Sequence, residues 1–428
     1  MSKTPRIKLF LLSLFLLLSG GEIVGQSSPI LSDIKFEGLR KTKPQYLSSF
    51  LKTRIGQQLD SILLAEDRQT LLNLEPISDV KIMLDSAKGN SVILMFEITE
   101  ALTLFPIVNF GGVRGNFWYQ LGFTDANWAG KGIKITTFYQ NNDGRDNFSF
   151  HYRNAHLNGS LWGASFSAVR WASIEPLFFR EGTVFYDYTN TSIGGTIIKH
   201  FQNRQYIETG LTYFVESYNK NSRHDGAVTP GPEQEQLPKF LHKFVHRLDR
   251  INYLGLYRTG YDNLLNFQTV FNMEDQSLFY ILLNETRYFH KIGRRGNFAS
   301  RLRIGLSTNN DSPFAPFVLD SYINIRGSGN RIDRGTAALI LNLEYRHTLF
   351  DWQKFDSQVI AFSDAGTWRK PGGNLRELIT FEDIRHFVGV GIRVGYKRAY
   401  NAILRLDYGI DIYDLDQRGF VIGVGQYF

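Results

Sequence analysis

The spacing of apolar residues changes once along the chain. Between residues 30 and 101, segments with a two-residue alternation are separated by segments whose apolar residues recur every three or four positions. The first spacing is typical of β-strands and the second of amphipathic helices. The predicted order is β-α-α-β-β, which describes a small compact α/β unit at residues 30–101.

From about residue 103 the helical spacing fades and strict alternation takes over. In "ALILNLEYR", Leu341 and Tyr345 fall on one face, and Asn342, Glu344 and Arg346 fall on the other. A soluble β-sandwich also alternates, but here many segments run for about ten residues and their apolar faces end in aromatic residues. The pattern therefore favours a transmembrane β-barrel over residues 103–428, since a closed sheet satisfies every backbone polar group in lipid.

The alternating segments predict about 16 antiparallel strands, an even number as bacterial barrels require. Their predicted starts lie near residues 116, 132, 146, 161, 176, 191, 205, 244, 263, 277, 297, 336, 354, 385, 399 and 418, and residues 171–190 could hold one strand or two. If the strand at 116 runs outward, the long stretches 218–242, 309–335 and 364–384 all fall on the extracellular side. The short turns "NNDGRD", "QNRQ", "KIGRRG" and "LFDWQ" then face the periplasm.

The first residues predict export. A basic segment, "MSKTPRIK", precedes the apolar run "LFLLSLFLLL", and small residues follow. This is the pattern of a signal peptide over residues 1–25, with cleavage after Gly21 or Gly25. A signal anchor is the alternative, but the run is short for a membrane span.

Composition limits the kinds of site and partner that the sequence predicts. The chain has no cysteine, and a net charge of +7 over 428 residues makes no case for nucleic acid. His242 and His246 in "HKFVH" could bind zinc on a helix, but no carboxylate partner is evident, so we predict no metal site. No nucleophile motif is present, and we expect neither an enzyme nor a cofactor.

Several motifs, in order and spacing, resemble one family. They are the turn "NWAGKG", with Asn127, Gly130 and Gly132; the loop "INIRGSGN"; the strand "AFSDAGTW"; and a final aromatic residue, Phe428. Together with the N-terminal unit, they resemble the POTRA-plus-barrel superfamily of the outer membrane. This superfamily, also known as the bacterial surface antigen family, includes the BamA and TamA assembly factors and the two-partner-secretion transporters.

The resemblance implies roles for individual residues. Residues 30–101 would be one periplasmic POTRA domain, and Arg326 in loop six would fold into the lumen to pair with Asp364. Gly327 and Gly329 would allow the close approach of the loop tip, although Ser328 stands where the family has an aromatic residue. Strand parity adds two inward-facing residues, Phe362 beside Asp364 and Glu344 as a second acceptor.

The resemblance also implies a function in the Gram-negative outer membrane. The protein would insert or translocate unfolded outer-membrane or secreted proteins while contacting lipids, and accessory lipoproteins or periplasmic chaperones could be further partners. Clients would be captured by β-augmentation on the POTRA sheet. They would enter at a seam weakened by Gly423 and Gly425, or thread the lumen. A dedicated transporter for one partner protein and a passive structural pore are the alternatives.

Overall fold

The computed structural model describes residues 28–428 except 88–89, 114–115, 143, 180–181, 202–203, 222–230, 255–256, 311, 313–314, 322, 330–332, 381–383 and 400–401. The predicted signal peptide, residues 1–25, lies outside the described residues. Within the described part of the chain, no helix is long and apolar enough to cross a membrane.

The N-terminal unit has the predicted order of elements. It consists of β1 (Ile30–Glu37), α1 (Pro44–Ser48), α2 (Ser61–Leu72), β2 (Ile77–Ser86) and β3 (Ser91–Glu100). The strand order is β1-β3-β2, with β1 parallel and β2 antiparallel to the central β3. Buried leucines of both helices pack on this sheet and form its core. The two edges of the sheet are therefore β1 and β2.

The remaining long strands form one large antiparallel sheet. It contains β4 (Leu104–Val113), β5 (Asn116–Trp128), β6 (Ile133–Asn142), β7 (Arg145–Asn154), β8 (Trp162–Phe179), β9 (Gly182–Phe201), β10 (Gln205–Lys220), β11 (Gln234–Asp249), β12 (Asn252–Leu254), β13 (Tyr257–Asn272), β14 (Leu278–Ile292) and β15 (Gly296–Ser307). After the short pair β16 (Phe317–Leu319) and β17 (Asp333–Gly335), it continues with β18 (Ala337–Asp351), β19 (Phe355–Arg369), β20 (Arg385–Tyr396), β21 (Ile403–Asp411) and β22 (Arg418–Val424). A single turn of helix, α3 (Glu377–Thr380), lies between β19 and β20.

Strands of the large sheet follow one another in chain order. Among the described residues it has 17 strands, and the order is cyclic, with β22 followed by β4, as in a closed barrel. β12 spans only three residues, which leaves 16 long strands. Each long strand pairs antiparallel with the next, from β4 through β22.

The predicted alternation is confirmed on these strands. Outward-pointing apolar residues are solvent-accessible, for example Leu341 (41%) and Val390 (62%). Inward-pointing polar residues are buried, for example Asn342 (0%), Glu344 (1%) and Arg393 (1%). An apolar outer wall around a polar interior is the arrangement of a barrel that faces lipid.

The predicted strand boundaries are partly wrong. The first strand begins at Leu104, not near residue 116, and no separate strand begins near 176 because β8 and β9 run for 18 and 20 residues. The missed strand and the extra one cancel in the count. The prediction failed at β4 because Leu104, Phe105, Ile107 and Val108 put apolar residues on both faces, so the alternation is lost.

Because β4 was missed, the predicted directions of the strands from β5 to β8 are reversed. We call the barrel end that carries the N-terminal unit the near end, and the opposite end the far end. The β5–β6 turn contacts the N-terminal unit, so the strand from residue 116 runs toward the near end. The turn "NNDGRD" therefore lies at the far end, contrary to the prediction. The long β10–β11, β15–β18 and β19–β20 connections all leave from the far end.

Candidate functional site

The sixth far-end connection, residues 308–336, is loop six, and it turns into the barrel. Ile325 and Arg326 at its tip are both completely buried. The Ile325 side chain packs with Ile340, Trp368 and Phe387, which come from three adjacent strands of the barrel wall. Loop six is thus fixed to the inner wall by an apolar contact immediately before the arginine.

Arg326 binds Asp364 of β19 through both its backbone and its side chain. Arg326 Nε and Nη2 donate to Asp364 Oδ2 and Oδ1 at 2.8 and 3.0 Å, and the Arg326 backbone N–H donates to Oδ2 at 3.0 Å. The two parallel side-chain bonds form the bidentate pair that a guanidinium makes with a carboxylate. Both side chains are fully buried. The structure therefore brings together the two residues that the resemblance pairs.

Glu344 of β18 is the centre of a larger ion network. Arg326 Nη1 donates to Glu344 Oε2, and Arg346 Nε donates to Glu344 Oε1 at 2.5 Å. Arg393 Nη2 lies 3.7 Å from Glu344 Oε2 and also binds Asp407. Glu344 is thus shared by three guanidinium groups. We call Arg326, Asp364 and Glu344 the latch.

Two aromatic rings flank the latch arginine. Arg326 Cζ lies 3.7 Å from the centroid of Phe362 and 4.4 Å from that of Tyr427. Such positions attract a cation electrostatically. Phe362 was predicted to face inward, whereas Tyr427 carries no local signal in the sequence that points to Arg326. Ser328, at the position where the resemblance leads us to expect an aromatic residue, donates its hydroxyl to the Ile325 carbonyl at 2.8 Å.

Gly327 lets the loop tip approach the wall. Its φ of +91° is in the left-handed region, and a Cβ there would lie 2.8 to 2.9 Å from the backbone of Gly409 on β21. Gly329 also has positive φ, at +109°. A side chain at position 327 would need both an unfavourable backbone conformation and a displaced strand, so this glycine is part of the latch geometry.

The turn "NWAGKG" joins the barrel to the N-terminal unit. It belongs to the second hairpin, β5–β6, because the first hairpin is β4–β5. Asn127 Nδ2 donates to Thr42 Oγ1 at 2.9 Å, and its Oδ1 accepts from the Gly132 N–H at 2.8 Å. The Gly130 carbonyl accepts from the Lys43 N–H at 2.8 Å. These residues therefore shape a docking surface for the N-terminal unit.

The last residues of the chain turn away from the barrel wall. In "FVIGVGQYF" the alternation aligns Phe428 with Phe420, Ile422 and Val424 and so predicts an outward position for it, but β22 ends at Val424 and Gly425 has a φ of +86°. Phe428 is instead buried in the lumen with Phe289 and Ala299. The prediction was wrong because a glycine in the left-handed region redirects the chain. Gly423 on β22 faces the Arg405 guanidinium, which a Cβ would contact at 2.5 Å.

The two histidines of "HKFVH" do not form a metal site. They lie on strand β11, where residues four apart are separated by about 13 Å, and the His242 imidazole is hydrogen-bonded to the Thr209 hydroxyl at 3.0 Å. No cluster of three or more potential metal ligands occurs among the described residues.

Comparison with known proteins identifies the fold. No protein-family model and no curated protein matches the sequence. Among solved structures, the chain is similar to CdiB from Escherichia coli, with a TM-score of 0.59 and 11% identity over 92% of this chain and 75% of that one. The chain has the fold of the BamA and CdiB barrels.

Two further structures support this assignment. CdiB from Acinetobacter baumannii gives a TM-score of 0.55 at 12% identity, over 94% of this chain and 74% of that one. BamA from Haemophilus ducreyi, crystallised without POTRA domains 1–3, gives 0.54 at 13% identity, over 92% and 83%. The superfamily resemblance read from the motifs is confirmed at the level of the fold.

Proposed function

We propose that this protein inserts client polypeptides into the outer membrane at the seam between β22 and β4. The observation that carries the proposal is the short length of β22, the strand that forms one side of that seam. β22 has 7 residues, whereas the barrel strands opposite it, β10, β11 and β13, have 16 each. A short strand offers few backbone hydrogen bonds to its neighbour, so it can be displaced by an incoming strand.

The exposure of the side chains on β22 also indicates that the seam beside this strand is weak. The outward residues Phe420, Ile422 and Val424 of β22 are 65% to 78% exposed, whereas the outward residues of β20 are 40% to 62% exposed. Neighbouring strands therefore cover the outward residues of β22 less than they cover those of β20. At the near end, the N–H of Leu102 bonds to the Arg398 carbonyl in the β20–β21 connection at 2.9 Å. The chain entering β4 is thus held there by the β20–β21 connection.

The occupied lumen supports entry at the seam. Loop six and the final residues both fold into the interior, and the latch holds the loop against β18 and β19. In this proposal, the latch keeps the lumen closed while the seam admits a client strand. The free energy comes from the folding of the client, so no nucleotide, cofactor or enzymatic step is required.

We further propose that the N-terminal unit acts as a periplasmic POTRA domain and captures the client first. Its edge strand β2 exposes Met83 (40%) and Leu84 (51%), and the outer edge of β2 pairs with no further strand among the described residues. An extended client segment can add to such an edge through main-chain hydrogen bonds. Docking of this unit on the β5–β6 turn would deliver the client close to β4. Accessory lipoproteins or chaperones could assist at the same surface.

A dedicated secretion transporter is the second candidate. Two cavities of about 420 and 440 Å³ lie beside loop six in the lumen. They would support transport through the lumen if loop six moved. A passive pore, the third possibility, requires no client at all.

Depletion of the protein in its native host, followed by quantitative proteomics of the outer membrane, distinguishes these functions. An insertase predicts a broad fall in many barrel proteins, measured before growth slows and compared with inner-membrane proteins as a control. Loss of one secreted or surface protein with unchanged barrels would indicate the dedicated transporter. Unchanged levels of both would refute assembly activity and leave the passive pore.

A further inference from the structure

A second ion pair connects loop six to the opposite wall of the barrel. Arg334 on β17 places its Nη2 atom 2.7 Å from Glu175 Oε2 on β8. In the cyclic order of long strands, β8 is eight places from β19, which carries Asp364. Loop six is therefore held on both sides of the lumen, by Arg326 on one wall and by Arg334 on the other.

Neighbouring residues orient the side chains of Arg334 and Glu175 towards each other. β17 pairs with β16, with Val318 opposite Arg334, so the arginine projects from a short ribbon. The hydroxyl of Ser173 donates to Glu175 Oε1 at 2.7 Å and orients the carboxylate. The side chains of Arg334 and Glu175 are only 14% and 5% exposed. Salt therefore screens this partly shielded pair less than it would a fully exposed one.

The position of the pair suggests what it controls. Arg334 and Glu175 line both of the cavities described above, the one of about 420 Å³ and the one of about 440 Å³. The pair thus stands where the two cavities meet. The first cavity is bordered by far-end residues such as Asp275, and the second reaches down loop six to Asn324. Separation of the two side chains would join the cavities along the loop.

The two attachments of loop six differ in how easily they can be released. Arg326 is completely buried, lies within 4 Å of three carboxylates and is flanked by two rings. Breaking this contact would leave several buried charges unpaired, which is costly. The Arg334–Glu175 pair borders open cavities, where water can solvate the separated charges. It is therefore the attachment that can open while the latch remains closed.

We propose that the Arg334–Glu175 ion pair is a gate across the far half of the lumen, distinct from the latch. Its opening swings the β16–β17 ribbon away from β8, while Arg326 keeps the loop tip on β18 and β19. The gating by itself does not depend on the proposed insertase role, although it sets how a client or an ion could pass through the barrel.

Ion conductance of the full-length protein in planar lipid bilayers tests the gate without any client. Glu175→Gln should raise the open probability about fivefold, the order expected when one partly shielded ion pair is lost. Glu208→Gln is the matched control, because Glu208 pairs with Arg153 and Lys243 within the barrel wall. Equal conductance changes in both variants, or none in Glu175→Gln, would overturn the proposal.

A charge exchange separates gating from misfolding. Glu175→Arg and Arg334→Glu should each open the pore, and the double variant should restore low conductance, with heat-modifiability on gels confirming a folded barrel throughout. The chain has no cysteine, so cysteines at both positions can also be joined by a short bifunctional thiol reagent. Joining should hold the pore closed. A pore that stays as open as Glu175→Gln after joining would exclude this gate. Either result stands whether or not the protein inserts clients.

Discussion

The ring of Tyr427 lies over the guanidinium of Arg326, with 4.4 Å between the ring centroid and Arg326 Cζ. The Tyr427 hydroxyl donates to the Ser321 carbonyl in loop six at 3.1 Å. Arg301 and Arg405 face the same ring, with Cζ atoms 5.2 and 4.8 Å from its centroid. The chain after β22 is therefore attached to loop six through one aromatic side chain, which couples the seam to the latch.

Two substitutions at Tyr427 separate its contacts. Tyr427→Phe removes only the hydroxyl bond and should cost about 1 kcal/mol of unfolding free energy. Tyr427→Ala also removes the ring between three guanidinium groups, and we expect a loss of about 3 kcal/mol together with higher conductance. Urea unfolding in detergent and planar-bilayer recording measure the two effects. Equal losses for both variants would show that the ring does not support the latch.

Removal of the latch arginine should have a larger effect. Arg326→Ala leaves Asp364 and Glu344 buried near each other without their shared cation, and such a change costs about 3–5 kcal/mol. We expect a lower yield of folded barrel, or higher conductance in the fraction that folds. Heat-modifiability on gels and bilayer recording are the measurements. Wild-type values in both would rule out the latch.

Glu344 should be as sensitive as the arginine itself. Glu344→Gln removes the negative charge that Arg326, Arg346 and Arg393 share, so three buried cations lose a common partner. We expect a loss of about 3–5 kcal/mol in unfolding free energy, with partial recovery in Glu344→Asp. A control, Glu285→Gln, changes a carboxylate on β14 that pairs with Arg287 and Arg303. A smaller loss at Glu344 than at Glu285 would contradict the shared network.

The alternation of the sequence predicts the barrel because it reports directly which side chains face lipid. It fails where the two faces do not differ, as in β4. Pro106 of β4 has no backbone N–H to donate to a neighbouring strand, which is tolerated in a strand beside the seam. The alternation also fails where strands extend beyond about ten residues, as in β8 and β9. The two extended strands contain enough alternation for three shorter ones, which explains the misplaced start near residue 176.

The latch was predictable only in part. The pairing of Arg326 with Asp364 rests on the resemblance, and Glu344 follows from the parity of its strand. Arg346 and Arg393 also face inward by parity, but periodicity gives no distance between strands that are not adjacent. Tyr427 could not be predicted, because its position depends on the turn at Gly425 and on packing between segments more than 100 residues apart in the chain.

Two glycines allow a test of the close approach at the loop tip. Gly144 has a φ of +76° and would place a Cβ in open space, with no atom within 4 Å, whereas Gly327 has a φ of +91° and faces the Gly409 backbone. Gly144→Ala should cost only backbone strain, about 1 kcal/mol. Gly327→Ala should cost more, because loop six must also move from β21, and it should raise conductance. Urea unfolding and bilayer recording compare the two variants, and similar losses with unchanged conductance would argue against tight docking of the tip.

The contact between the N-terminal unit and the barrel should depend on pH. His156 lies in the near-end connection between β7 and β8, and its ring packs edge-on against Phe50 with 4.8 Å between centroids. Burial lowers the pKa of His156 below its ordinary 6.5; the Ser160 carbonyl opposes this shift, and Arg153 reinforces it. The ring of His200 stacks on that of His156, with 4.2 Å between the ring centroids. Protonated His156 is thus disfavoured when the N-terminal unit is docked on the barrel, which we call the docked state.

Because the pKa of His156 is lowered in the docked state, docking of the N-terminal unit on the barrel should weaken as the pH falls. The docked state binds fewer protons than the undocked one, so docking is fully stable above pH 6.5 and weakens as the pH falls through the range below it. Limited proteolysis of the chain between the N-terminal unit and β4 should therefore accelerate between about pH 6.5 and 5, and a protease active across this range allows the comparison. His156→Gln cannot be protonated and should remove the pH step. Persistence of the same step in that variant would assign it to another group, and docking through His156 would then not be pH-dependent.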